Sequence, residues 1–116
     1  SVRKVLKQIL NNQDVDVTGQ DKGWCCHALY VALKCFLSSN SFDDCVDAAV
    51  RMGGDTDTNA AIAGGLAGAY YGFETLSANS RCQKNIQTIL ASSNIRPAAY
   101  LPGRIDRLAK ELFLLL

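Results

Sequence analysis

The sequence predicts an all-α fold, an orthogonal multi-helix bundle. Apolar residues recur at spacings of three and four along six segments, which is the period of one helix face. No segment shows sustained period-two alternation rich in β-branched residues, so no sheet is expected. Six helices with one apolar face each must bury those faces against one another or against something else. At 116 residues the chain has the length of one domain. The apolar share of 48% and charged share of 20% are those of a globular chain and exclude a largely disordered one. A net charge of +1 leaves no basic footprint for nucleic acid or an anionic membrane surface. No apolar run reaches the ~18 residues of a membrane span, and no secretory signal opens the chain.

Each element has its own signal. Val2, Val5, Leu6, Ile9 and Leu10 form the apolar face of a first helix, with Arg3, Lys4 and Lys7 on its wet side. Residues 11–22 are polar and aperiodic, a loop. A second helix follows Gly23, with Leu29, Ala32, Leu33, Phe36 and Leu37 expected inward. Ser38 to Asn40 break it. Ser41 starts a third helix, and Asp44 three residues on resembles a capping box. Phe42, Cys45, Val46, Ala49 and Val50 supply its apolar face, and Gly53 with Gly54 end it. A fourth helix is expected from Thr56 to Tyr71, stopped by Gly72. Cys82, Ile86, Ile89 and Leu90 mark a fifth, and Pro97 and Pro102 bracket a loop. A last helix follows Gly103, with Ile105, Leu108, Ala109 and Leu112 inward. Asp106 with Lys110, and Arg107 with Glu111, are i, i+4 pairs on its polar side.

The five cysteines, Cys25, Cys26, Cys35, Cys45 and Cys82, show no C-x-x-C spacing. Small buried apolar roles and a reducing, cytoplasmic setting are expected. His27, the single histidine, is read as structural, and Tyr70, Tyr71 and Phe73 as core aromatics.

The candidate site is Gly53-Gly54-Asp55-Thr56-Asp57-Thr58-Asn59. Two glycines allow a sharp turn and close approach. Asp55, Asp57 and Thr58 then place two carboxylates and a hydroxyl at the mouth of a helix, a hard-oxygen set that suits Mg²⁺ or Ca²⁺. Ordinary capping is the competing reading, because Asp and Thr satisfy free N–H groups at helix N-termini. An EF-hand is excluded: the positions that need Gly and Glu hold Ala60 and Leu66. The following helix is uncharged and dense in small residues. Gly64, Gly65 and Gly68 cost it roughly 3 kcal/mol relative to alanine. A stripe at Ala60, Gly64 and Gly68 would offset that by admitting a close helix neighbour, which describes a helix buried at the centre of a bundle.

These residues resemble the ADP-ribosylglycohydrolase family, which includes the dinitrogenase-reductase-activating glycohydrolases. The resemblance lies in Gly53 to Thr58 and Gly68 to Gly72, and more loosely in Gly23-Trp24-Cys25-Cys26-His27-Ala28-Leu29. It covers about residues 18–75. It implies an all-α fold, a centre of two Mg²⁺ ions, and hydrolysis of the bond between ADP-ribose and an acceptor. The substrate would be an ADP-ribosylated protein or an ADP-ribose-containing small molecule. By the same resemblance Asp55 and Asp57 are catalytic carboxylates and Asp55, Asp57 and Thr58 metal ligands, with Asp57 bridging the two ions. Gly23, Trp24 and Gly54 would lie against substrate. Lys22 stands where the family commonly has Ser or Thr.

The family's N-terminal part also carries a Thr-Asp-Asp-type ligand run and a Glu on a flap. Neither has a counterpart here. Asp43-Asp44 caps a helix start, and Asp14 and Asp16 sit in a polar loop. The chain is therefore expected to be the C-terminal part, residues 1–116, of a single incomplete domain holding half of a two-metal site. Its opening at Ser1 without Met points the same way. A second chain could supply the missing half. The alternatives are a non-catalytic relative that binds ADP-ribose, and a helical interaction module.

Overall fold

The computed structural model describes residues 1–92, 97 and 104–115, without the side chain of residue 106. These residues form six helices and no strands: α1 (Val2–Leu10), α2 (Cys25–Ser38), α3 (Phe42–Arg51), α4 (Thr56–Ala78), α5 (Ser80–Ala91) and α6 (Ile105–Phe113). The fold is all-α, as the periodicity predicts. Most of the loop bracketed by Pro97 and Pro102, and the Asp106 side of the predicted Asp106–Lys110 pair, lie outside the described residues. No helix among the described residues is long and apolar enough to cross a membrane.

The chain divides into two units, Ser1–Leu76 and Ser77–Leu116. In the first, α2 packs against both α1 and α3. Its core draws Val5 from α1, Val17 from the loop, Tyr30, Val31, Ala32 and Cys35 from α2, Cys45 and Ala49 from α3, and Ala63 and Ala67 from α4. Burial pushes the Cys35 and Cys45 thiols above the ordinary range, as expected of cysteines used as small apolar side chains. The buried face of α2 differs from the predicted one. Val31 and Cys35 lie at its centre, while Leu37 is exposed. This helix is apolar over most of its circumference, with Lys34 as its one Lys or Arg, so spacing alone does not select one face.

Ser41 Oγ accepts the Asp44 backbone N–H at 3.1 Å, the cap the sequence predicts for α3. Gly64 and Gly68 of α4 face the Phe42 side chain of α3, and Gly64 also meets Val46, so the stripe faces a neighbouring helix through that helix's side chains. The rest of α4 corrects the expectation of burial on every side. Only Asn59, Ala63 and Ala67 are buried, and a Cβ on Gly65 would meet nothing within 4 Å. Gly72 breaks the helix at φ 80° as predicted, but helical backbone resumes after it and runs to Ala78. Tyr70 and Phe73 are 71% and 81% exposed, so they are surface rather than core aromatics. Tyr70 meets Phe36 of α2 edge-to-face, at 5.3 Å between ring centroids, and Phe73 follows the break at Gly72.

The loop of residues 11–24 is tied to α2. Tyr30 donates its hydroxyl to the Gln13 carbonyl at 2.8 Å. Lys34 Nζ donates to Tyr30 Oη at 2.9 Å and to Asp14 at 2.6 Å. Asp16 accepts from the Thr18 N–H and hydroxyl at 2.8 and 2.7 Å.

In the second unit Asn79 caps α5 by accepting from the N–H groups of Arg81 and Cys82 at 2.9 and 3.1 Å. Arg107 and Glu111 pair at 2.9 Å on α6. Ile105, Leu108 and Leu112, predicted inward, are exposed, because no described residue covers the apolar face of this helix.

Two tests follow from this architecture. Gly54 has φ +75°, and a Cβ there would collide with the Val17 carbonyl oxygen. Gly54→Ala should cost more than about 2 kcal/mol, from left-handed strain plus the collision. Gly65→Ala should instead gain about 1 kcal/mol. Urea denaturation of both variants reads the opposite signs. The second test is pH. The hydrogen bond and charge of Lys34 hold Asp14 below the ordinary aspartate range, and the bond to Asp14 raises Lys34 above the ordinary lysine range. The Asp14 contribution is thus present above the ordinary aspartate range and lost as pH falls through the lowered value. The Lys34 contribution is present below the ordinary lysine range and lost as pH rises through the raised one. Asp14→Asn should lower the thermal midpoint between these limits and converge with the parent in acid.

Candidate functional site

The turn from α3 into α4 places the site. Gly53 and Gly54 both take positive φ, +78° and +75°. This brings the backbone down onto Val17 and Thr18 of the loop and swings Asp55 to the mouth of α4. The Asp55 carbonyl accepts the Asn59 N–H at 2.9 Å, which makes Asp55 the residue at which the helix begins.

A groove of about 350 Å³ opens between the starts of α2 and α4. Lys22, Gly23, Cys25, Ala28 and Leu29 line one wall. Asp55, Thr58, Asn59 and Ile62 line the other. Gly23 leaves the space open: a Cβ on it would stand 3.9 Å from Asp55 Oδ2. Asp57 is exposed and lies outside this lining, but it stands within hydrogen-bond reach of Asp55. That hydrogen bond, ahead of those from the backbone N–H groups of Thr58 and Asp57 itself, holds the Asp57 carboxyl below the ordinary range.

Of the six residues that the sequence nominates, Gly23, Asp55 and Thr58 meet in the groove. Asp57 flanks it. Trp24 is 47% exposed and lines a neighbouring open depression with Gln20, Asp21 and Gly23. Gly54 shapes the turn. His27 lies elsewhere: it packs edge-on against Trp24 at 5.3 Å and lines a separate cavity of about 30 Å³. Its Nδ1 is buried with no hydrogen-bond partner. No group of three or more His, Cys, Asp or Glu side chains able to hold a metal occurs among the described residues.

Asn59 and Cys25 are groove residues that lie within the stretches the sequence marks but receive no role there. Asn59 is 0% exposed. Its amide reaches the Gly53 carbonyl at 3.5 Å, while its Oδ1 is buried without a partner. The signal for it was present: it follows Asp55 by four residues and so shares its helix face. Cys25 needed the fold, since only the turn at residues 53–54 brings α4 opposite it.

The sequence model of the ADP-ribosylglycohydrolase family matches residues 1–115. An ADP-ribosyl-[dinitrogen reductase] glycohydrolase of Rhodospirillum rubrum is 34% identical over 58 residues. That match takes in 50% of this chain and 20% of the relative's length. No solved structure matches the chain.

The carboxyl pair gives a test. Asp55→Ala removes the hydrogen bond that most lowers Asp57, so the Asp57 titration should move up toward the ordinary aspartate range. Carboxyl-detected NMR across the acid range measures it. An unmoved midpoint would show that the backbone alone sets the Asp57 titration.

Proposed function

The chain belongs to the ADP-ribosylglycohydrolase family, and from that premise we propose that it supplies half of a Mg²⁺-dependent site that hydrolyses ADP-ribose from a modified protein side chain or small acceptor. The observation that carries this reading is the placement of Asp55 and Thr58 on one groove wall with Asp57 against Asp55. The donor set fits the cation. Its members are hard oxygens, and two neighbouring carboxylates favour a positive partner. Asp55, Asp57 and Thr58 would be the residues of this chain that hold the ions. When bound, Mg²⁺ supplies charge stabilisation, orientation of the substrate hydroxyls and water activation.

The chain's own residues do the rest. Gly23 leaves room for a sugar beside Asp55. Ala28, Leu29 and Ile62 give the groove apolar walls that limit water. Lys22 at the rim offers a cation to an anionic substrate, in the position where a hydroxyl residue is common in the family. Mg²⁺ takes near-octahedral coordination, which two carboxylates and a hydroxyl do not fill. The remaining ligands would come from residues outside this chain, either in a longer polypeptide or on a second chain. A second reading, a non-catalytic relative that binds ADP-ribose or a partner protein, draws on the backbone N–H bonds that Asp57 accepts in the manner of a cap.

The deciding experiment joins the chain to the family's N-terminal portion and follows release of ADP-ribose from an ADP-ribosylated protein. Turnover should require Mg²⁺. Asp57→Ala should lower it more than about 100-fold, since even outer-shell partners of metal ligands are worth 10–100-fold, while circular dichroism stays unchanged. Turnover that survives the change would overturn the ligand assignment and favour the second reading.

A further inference from the structure

The C-terminal end of α2 is finished differently from its neighbours. After α1, α3, α5 and α6 the N–H of the next residue bonds back to carbonyls of the helix. Ser39, which follows α2, is extended at φ −109° and ψ 149° and makes no such bond. Among the described residues no backbone N–H from beyond the helix donates to the carbonyls of Cys35, Phe36, Leu37 or Ser38. The last turn of α2 also holds no basic residue, whereas those of α1, α3 and α6 each hold one. Uncapped carbonyls and the negative end of the helix dipole therefore meet here without a cation.

A pocket of about 480 Å³ opens at the same end, lined by Phe36, Leu37, Ser39, Asn40, Tyr70 and Tyr71. None of these side chains is positively charged. The Tyr70 ring stands nearly perpendicular to Phe36, at 5.3 Å, and to Tyr71, at 5.1 Å. Tyr70 is 71% exposed, so much of its ring stays open. Tyr71 Oη donates to the Ser39 carbonyl at 3.5 Å, which ties α4 to the end of α2. Burial, then Tyr70, Cys45 and Asp44, hold the Tyr71 hydroxyl above its ordinary range, so the Asp44 charge is felt at the pocket. Aromatic rings, helix-end carbonyls and a carboxylate all attract a cation.

We propose that this pocket docks an arginine side chain of a partner protein. The guanidinium is planar and weakly hydrated, so it stacks on an aromatic ring, and it spreads five N–H donors over several acceptors. A lysine ammonium is a compact, strongly hydrated point charge and gains less from the rings. Leu37, 67% exposed, gives the arginine stem an apolar surface to lie on. The 14 residues of α2 put about 20 Å between the groove at its start and this pocket at its end. Docking here is thus separate from the proposed hydrolytic site and does not rest on it.

The test uses the full chain and capped pentapeptides Gly-Gly-X-Gly-Gly, with X arginine, lysine or citrulline. In ¹⁵N NMR titrations the arginine peptide should shift the amides of residues 36–40 and 70–71 and leave those of Asp55 and Thr58 unmoved. It should bind at least about fivefold tighter than the citrulline peptide, which keeps the shape and loses the charge. Tyr70→Ala removes an exposed ring and should weaken binding at least about threefold, with circular dichroism unchanged. Equal binding of the citrulline peptide would overturn the cation site, and equal binding of the lysine peptide would overturn the guanidinium assignment. Free arginine binding as tightly as the peptide would overturn a protein as its source. Shifts at the groove instead, or none at all, would overturn the pocket. No readout needs Mg²⁺ or turnover, so failure of the hydrolase reading would be seen separately, in the Asp57→Ala experiment.

Discussion

The close approach of Gly54 to Val17 is the constraint on which the site depends. A Cβ at residue 54 would overlap the Val17 carbonyl oxygen, and both Gly53 and Gly54 hold φ values that L side chains rarely adopt. Because the turn is this tight, α4 begins beside the loop rather than beyond it. Asp55 then faces Gly23 across a few ångströms, and Asn59 sinks into the core one turn later. Any looser connection would leave the two walls of the groove apart.

That approach in turn requires the loop to be held. Residues 11–24 have no regular hydrogen-bonded ladder, so their order comes from side chains of α2. The buried Tyr30 ring carries a hydroxyl that both donates to Gln13 and accepts from Lys34, and Lys34 reaches on to Asp14. The buried Val17 anchors the middle of the segment. A network in α2 thus positions the surface against which the α3–α4 turn rests, and the stability of the loop and the geometry of the groove are coupled through one short contact. Asn59 closes the arrangement from below, since its amide reaches the carbonyl of the same Gly53 that starts the turn.

Much of this was legible in the residues. Helical period located all six helices, Gly-Gly marked the turn, and the Ser41–Asp44 cap was visible as a pattern. The small-residue stripe correctly marked a side of α4 that faces another helix, where Gly64 and Gly68 meet the Phe42 side chain of α3. Sequence reasoning failed where local chemistry underdetermines packing. The largely apolar α2 did not reveal which side is buried, and the small residues of α4 did not reveal how many sides are. The apolar face of α6 was legible, but its exposure was not, because spacing says which residues share a face and not whether anything covers it. At the site, the acidic motif was plain. The thiol opposite it was not, because Cys25 and Asp55 are brought together only by the fold.

The surroundings of the acidic residues bear on the choice between capping and the proposed metal centre. Asp14 is answered by Lys34, Asp16 by Thr18, and Asp44 by Ser41. Each is explained by a neighbour that folding places beside it. Asp55 and Asp57 differ in kind, because each has the other as its neighbour. A cap needs one oxygen to answer free N–H groups, and the Asp57 carboxyl already accepts the N–H groups of Thr58 and its own residue. A second carboxyl held against it adds repulsion whenever both are ionised, and helix stability gains nothing from that arrangement. Crowded like charges, a hydroxyl one residue on and a groove beside them make a constellation that capping alone does not require. A cation would turn the same crowding into attraction, and this is the physical argument behind the proposal that the start of α4 is half of a metal centre.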